Sequence, residues 1–167
     1  REGSVSVQPK LIINYNPVTP ALNRRDTWLR QYYPPPGTYV DDSADQDGDG
    51  IKNVFEYAFA FSPLSANSSG AGMQAAVAAA GNTTTFTISF RRDPRATDLT
   101  YQMQTSDDLV LWSTITQSAA GATPSGTGFV SESDAPGEAP VKNVTVSETL
   151  SGTTRHFARL RIIRVAQ

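Results

Sequence analysis

Seven short strand-like runs between residues 73 and 165, separated by turn-forming residues, constrain this chain more than any other feature. They fall at roughly 73–80, 83–92, 99–106, 109–117, 128–133, 141–149 and 155–165. Within the second, Phe86-Thr87-Ile88-Ser89-Phe90 alternates apolar and polar residues, the period of a strand with one face on a core. Gly81-Asn82 just ahead of it is a two-residue hairpin signal. The alanine-rich stretch 75–80 is therefore read as a strand, although alanine also favours helix. Residues 118–140 are rich in Gly, Ser, Pro and acid and are expected to form a long exposed loop around the short run at 128–133. Short strands at this spacing predict a mainly β chain, a small antiparallel β-sandwich or open barrel.

The first part of the chain has a different character. Residues 4–15 alternate or run apolar (Val5, Val7, Leu11, Ile12, Ile13, Tyr15) and read as one or two strands. Asn16-Pro17 and Thr19-Pro20 break that run. Over 22–33, Leu22, Trp28, Leu29 and Tyr32 or Tyr33 fall at helical spacing, and Pro34-Pro35-Pro36-Gly37 ends the helix because consecutive prolines cannot continue it. A second short helix is expected over 53–61, stopped at Ser62-Pro63, with a small-residue linker over 65–72. The expected organisation is a strand arm at 1–20, a helix–loop–helix element at 21–64 and a β-sandwich at 65–167.

Between the two helices, residues 45–56 read Asp-Gln-Asp-Gly-Asp-Gly-Ile-Lys-Asn-Val-Phe-Glu. This spacing matches the twelve-residue calcium loop of an EF-hand-like insertion. Asp45, Asp47 and Asp49 take positions 1, 3 and 5, and Gly50 takes the sharp turn at 6. The Ile51 carbonyl stands at 7, Asn53 at 9 and Glu56 at 12, where it can close the shell as a bidentate ligand. Calcium needs six to eight oxygens at roughly 2.3–2.6 Å, which alternate residues on a tight turn supply. Magnesium prefers water and fewer carboxylates. A solvated turn with no ion has little reason to gather five acids within 41–49. Asp41 and Asp42 either ligate or raise ion affinity as solvated charge.

Composition excludes several classes. A net charge of −2 and a pI near 5.3 offer no basic surface for nucleic acid. With no cysteine there is no disulfide framework, thiolate catalysis or cysteine metal site. Metal binding can stiffen such a chain instead, because a site absent from the unfolded state turns binding energy into folding energy. Only 18% of residues are charged while Ser and Thr make up about a fifth, a profile that suits a secreted domain, extracellular or at the cell surface. The absence of a long apolar run predicts no membrane span. The chain starts at Arg1 without a charged-then-apolar leader, as expected of a mature or trimmed product.

His156 is the only histidine, so histidine triads and histidine metal sites lack material, and it is read as a packed or edge residue. Six of the sixteen acids lie at 41–56, Asp108 sits in an expected turn, and no enzyme activity is expected. Arg159 and Arg161 alternate with Ala158, Leu160 and Ile162, a strand with one wet face. Trp28 and Trp112 are read as core anchors. The Asn67, Asn82 and Asn143 sequons follow from Ser/Thr richness.

Several of these stretches together form a family pattern. Trp28-Leu29-Arg30-Gln31-Tyr32-Tyr33, Asp41-Asp42, the loop running into Glu56-Tyr57-Ala58, and Ser62-Pro63-Leu64 lead into Phe90-Arg91-Arg92. Tyr101, Gln104, Ser106, Asp108, Leu109 and Trp112 follow, then Phe157, Arg159, Leu160 and Arg161. Over about 28–165 the chain resembles a C-terminal module of large secreted proteins from Verrucomicrobia and related bacteria. The loop alone is also similar to those of dockerins and thrombospondin type 3 repeats, which occur as repeated loops. The resemblance implies a calcium loop joined to a β-part with no activity of its own, trailing catalytic or adhesive domains. Here Ser62 replaces the usual acid of the stop, and only the strand-like arm precedes the module.

That arm sets the functional expectation. It is either the first strand of its own sheet or a strand donated to a second copy, which would build a head-to-tail homopolymer, a pilus-like filament. The rival expectation is a module that attaches a larger secreted protein to surface glycan through aromatics such as Tyr32, Tyr33 or Tyr39.

Overall fold

The computed structural model describes residues 24–34, 40–67, 70–152 and 155–165; the arm at 4–15 and Tyr39 lie outside the described residues. Two helices, α1 (Arg24–Tyr32) and α2 (Asn53–Phe59), precede seven strands. These are β1 (Met73–Ala80), β2 (Thr83–Arg92), β3 (Leu99–Ser106), β4 (Ser113–Ala119), β5 (Phe129–Asp134), β6 (Lys142–Ser151) and β7 (Phe157–Arg164). They form two antiparallel sheets in the orders β1-β2-β6-β5 and β4-β3-β7. The chain is mainly β, as expected, and no described helix is long and apolar enough to cross a membrane.

The core lies between the sheets. Ile88 and Phe90 of β2 and Val144 and Val146 of β6 meet Leu99, Tyr101 and Met103 of β3 and Ile115 of β4. Alternation puts these side chains on one face of each strand. Phe90 and Tyr101 stack across the gap with centroids 6.4 Å apart.

Two expectations are corrected. The run at 109–112 is not strand, and β4 starts at Ser113. Ser106 Oγ accepts the Leu109 N–H (2.9 Å), and Asp108 Oδ1 accepts those of Val110 and Leu111 (both 2.8 Å). These local bonds hold a turn against the apolar pattern, with Leu109 at φ 64°. Of 118–140, the run expected at 128–133 does form a strand, but the segment ahead of it is not simply an exposed loop. Gln117 and Ser125 exchange backbone hydrogen bonds (2.8 and 2.9 Å), and β5 takes up Phe129–Asp134. Gly126 runs so close to β4 that a Cβ there would sit 2.2 Å from the Ile115 carbonyl oxygen.

The helices are fastened to the end of the sandwich. Trp28 is buried against Tyr57 and donates its indole N–H to the Phe61 carbonyl (3.1 Å). Tyr57 donates to Asp98 Oδ1 (2.6 Å), and Tyr101 donates to the Ala58 carbonyl (2.7 Å). Buried Asp93 holds Arg24 (2.9 Å) and Arg95 (2.8 Å), and their charges keep its carboxyl below the usual range despite burial. Helix α2 ends earlier than expected, at Ala60, which adopts φ 57° so that the Phe61 N–H reaches the Glu56 carbonyl (2.8 Å).

Candidate metal centre

Residues 40–56 place three of the aspartates together. One carboxylate oxygen from each of Asp45, Asp47 and Asp49 lies within 4.8 Å of the others. The turn is built by these same side chains. Asp45 accepts the N–H of Gly48 (2.9 Å) and Gly50 (3.0 Å), Asp47 accepts that of Asp49 (3.2 Å), and Asp49 accepts that of Ile51 (2.7 Å). Aspartate suits these positions because its short side chain reaches backbone a few residues on. Gly48 and Gly50 supply the left-handed backbone, at φ 76° and 88°.

Glu56 defines the electrostatics of the site. It is 1% exposed in the first turn of α2, and neither carboxylate oxygen has a hydrogen-bond partner among the described residues. Burial, then Asp47, Asp49 and Asp45, push its carboxyl up to about 8. Asp47 Oδ2 and Asn53 Oδ1 are also buried without partners. Asn53 gives its side-chain N–H to the Asp41 carbonyl (2.7 Å), which leaves only its oxygen free. Three of the six positions expected from the sequence thus carry buried oxygens with nothing to bind them, and such groups cost free energy unless compensated. Ile51 sits half-buried at the end of the turn. The donor set is wholly oxygen, mostly carboxylate, the chemistry that a hard divalent cation takes.

Asp41 and Asp42 are engaged elsewhere. Asp41 Oδ1 accepts the N–H (2.8 Å) and hydroxyl (2.9 Å) of Ser43, which hold its carboxyl below the ordinary range. Asp42 pairs with Arg25 of α1 and with Arg164 of β7, the latter at 2.6 Å. It works as a structural clamp.

Two residues at the site were invisible to loop spacing. Asn67 donates its backbone N–H to Asp49 Oδ2 (2.7 Å), and with Ile51 it holds that carboxyl low. The Tyr33 hydroxyl is buried without a partner, and burial together with Glu56 and Asp47 pushes its pKa up. No local pattern marks either residue, because both reach the loop from outside it.

Of the other residues singled out, Trp28 is buried whereas Trp112 is half-exposed, with the Arg159 guanidinium 3.9 Å above its ring. Tyr32 and Tyr33 pack partly against the core. His156 precedes β7, stacks on Phe86 (5.3 Å) and bridges Asp107 (Nδ1, 2.7 Å) and Glu148 (Nε2, 3.1 Å). Burial pulls its pKa down, but the two carboxylates outweigh this and leave it raised. A raised folded-state pKa favours folding fully below the unfolded value, about 6.5. That stability is lost as pH rises through the folded pKa. His156→Gln is therefore expected to destabilise the protein near pH 6 and to matter less above pH 8, as read from melting curves across that range. A penalty unchanged by pH would show that the ring serves only as packing.

Comparisons of the chain with protein-family models, with curated proteins and with solved structures give no match.

Proposed function

We propose that this is a non-enzymatic structural protein of the extracellular space or cell surface. Calcium stabilises it, bound in an EF-hand-like element by Asp45, Asp47, Asp49, the Ile51 carbonyl, Asn53 and Glu56. Its copies join head to tail through the arm at residues 4–15. The observation that carries the metal reading is Glu56, a buried carboxylate whose two oxygens lack partners beside three more carboxylates. A doubly charged cation held by Asp45, Asp47 and Asp49 and drawing in Glu56 offsets much of the repulsion among these acids, and millimolar extracellular calcium fills even a weak site. The assembly reading rests on the arm, a run of strand-forming residues separated from the strands by both helices.

Electron microscopy of the full chain, in calcium and in chelator, tests the assembly reading beside a variant lacking residues 1–15. Filaments are expected from the full chain in calcium, and folded monomers from the shortened one. Polymer formed without the arm would remove strand donation. Dispersed particles of 18.0 kDa from the full chain in both conditions would remove the filament.

A further inference from the structure

Four strands end the two sheets, and an edge strand offers unpaired N–H and C=O groups to any passing chain. Proteins blunt such edges with charge, bulges or cover. Strand β7 carries Arg159, Arg161 and Arg164. Strand β5 carries Glu132 and Asp134 and a register shift between Phe129 and Ser131. Strand β4 is partly covered by Ser125, which bonds Gln117. Among the described residues, strand β1 has none of these protections. Met73–Ala80 holds no charge and no proline, and its register with β2 runs unbroken from Met73↔Phe90 to Ala80↔Thr83.

Strand β1 is also bare on the side where the core lies. Directly paired residues share a face, so Met73, Ala75 and Val77 stand beside Phe90, Ile88 and Phe86 of β2. Phe90 and Ile88 are buried, yet every residue of β1 is exposed, Val77 to 72%. The facing sheet reaches only as far as β2, where His156 at the start of β7 stacks on Phe86, so β1 overhangs. At the Met73 end of β1, between it, α2 and β7, opens an apolar cleft of about 460 Å³, lined by Ile51, Phe55, Phe59, Met73 and Leu160 among others.

We propose that the free edge of β1 receives residues 4–15 of a second copy as an added strand, closing this cleft. The proposal rests on the assembly reading above and names the surface that assembly uses. The arm matches in pattern over most of its length: Val5, Val7, Leu11, Ile13 and Tyr15 hold odd positions and Ser4, Ser6, Gln8, Lys10 and Asn14 even ones, with Pro9 and Ile12 breaking the alternation between its two halves. In an added strand the odd set falls over the cleft and the even set in water, with main-chain hydrogen bonds along β1. The described chain begins at Arg24 in α1, which packs on α2 beside the cleft. Pro17 and Pro20 favour an extended spacer over 16–23, roughly 25 Å at about 3.1 Å per residue.

The chain has no cysteine, so introduced thiols report contacts without interference. Single variants of the full chain, Val5→Cys, Val7→Cys, Leu11→Cys or Ile13→Cys, are each mixed with Val77→Cys and oxidised in calcium. Val130→Cys on the β5 edge serves as the comparison acceptor; both acceptor positions are exposed. Covalent dimers between arm variants and Val77→Cys, at least tenfold above those with Val130→Cys, are the expected result. Filaments that cross-link to Val130→Cys, or to neither acceptor, would overturn the β1 assignment and leave the assembly reading standing. A chain carrying both an arm cysteine and Val77→Cys that closes only on itself would show the arm filling its own cleft and overturn the second copy. Absence of filaments together with absence of any cross-link would overturn both readings.

Discussion

Calcium added to metal-free protein is expected to raise its melting temperature by roughly 5–16 °C at saturation. An ion bound only by the folded state at 100 to 1,000 times its Kd contributes about 2.7–4.1 kcal/mol. A chain of this length gains about 2–4 °C per kcal/mol. The diagnostic variant is Glu56→Gln, which keeps the shape of a buried side chain and removes its charge. It should lose most of the calcium-induced rise. In chelator it should melt at or above the parent, because it deletes a buried carboxylate that has no partner there. Asp47→Ala should lose the calcium effect as well, with little change in chelator. If either variant falls equally in both conditions, its side chain serves packing and the ion reading fails.

Trp28→Ala is expected to cost about 3–5 kcal/mol with and without calcium, read as a lower denaturant midpoint. The indole is 2% exposed, lies 5.5 Å from both Tyr32 and Tyr57, and donates to Phe61. Removing it opens a cavity between α1 and α2 and leaves the Phe61 carbonyl without that donor. The two helices have few other apolar contacts to share the loss, since α1 buries only Leu29 and the guanidinium-bearing Arg25 besides Trp28. A loss under about 1 kcal/mol would mean that the neighbours collapse into the space. Contrast between the two experiments separates ion binding from helix seating, since the effects of Glu56→Gln and Asp47→Ala should depend on calcium and that of Trp28→Ala should not.

Much of the strand pattern was legible because it is local. Thr83–Arg92 and Leu99–Ser106 occupy the spans that alternation and the Gly81-Asn82 turn predict. Failures came where short polar side chains compete for the backbone. Ser106 and Asp108 turn an apolar run into a bend, and no count of hydrophobic residues registers a hydroxyl capturing an N–H three residues on. The early end of α2 has a different origin, with Ala60 adopting a left-handed conformation that glycine usually supplies. At the candidate centre, the spacing of Asp45, Asp47 and Asp49 was readable because the turn is made by those residues. The contributions of Tyr33, Asn67 and the Arg25–Asp42–Arg164 cluster were not readable. Each joins residues far apart in the chain, and only the packed sandwich brings them within reach.

Those long-range ties bear on how far the loop can be treated as a unit. Asp49 is held by Asn67 on the way to β1, and Asp42 by Arg164 in the last strand. A twelve-residue cassette cut from this chain and spliced into a foreign host would arrive without either anchor. The acids would keep their intervals and the N–H bonds made inside the turn, but lose the ties that fix the turn against the rest of the domain. In this protein the acidic loop is a joint of the whole domain, and transplanting it would mean carrying much of the domain along.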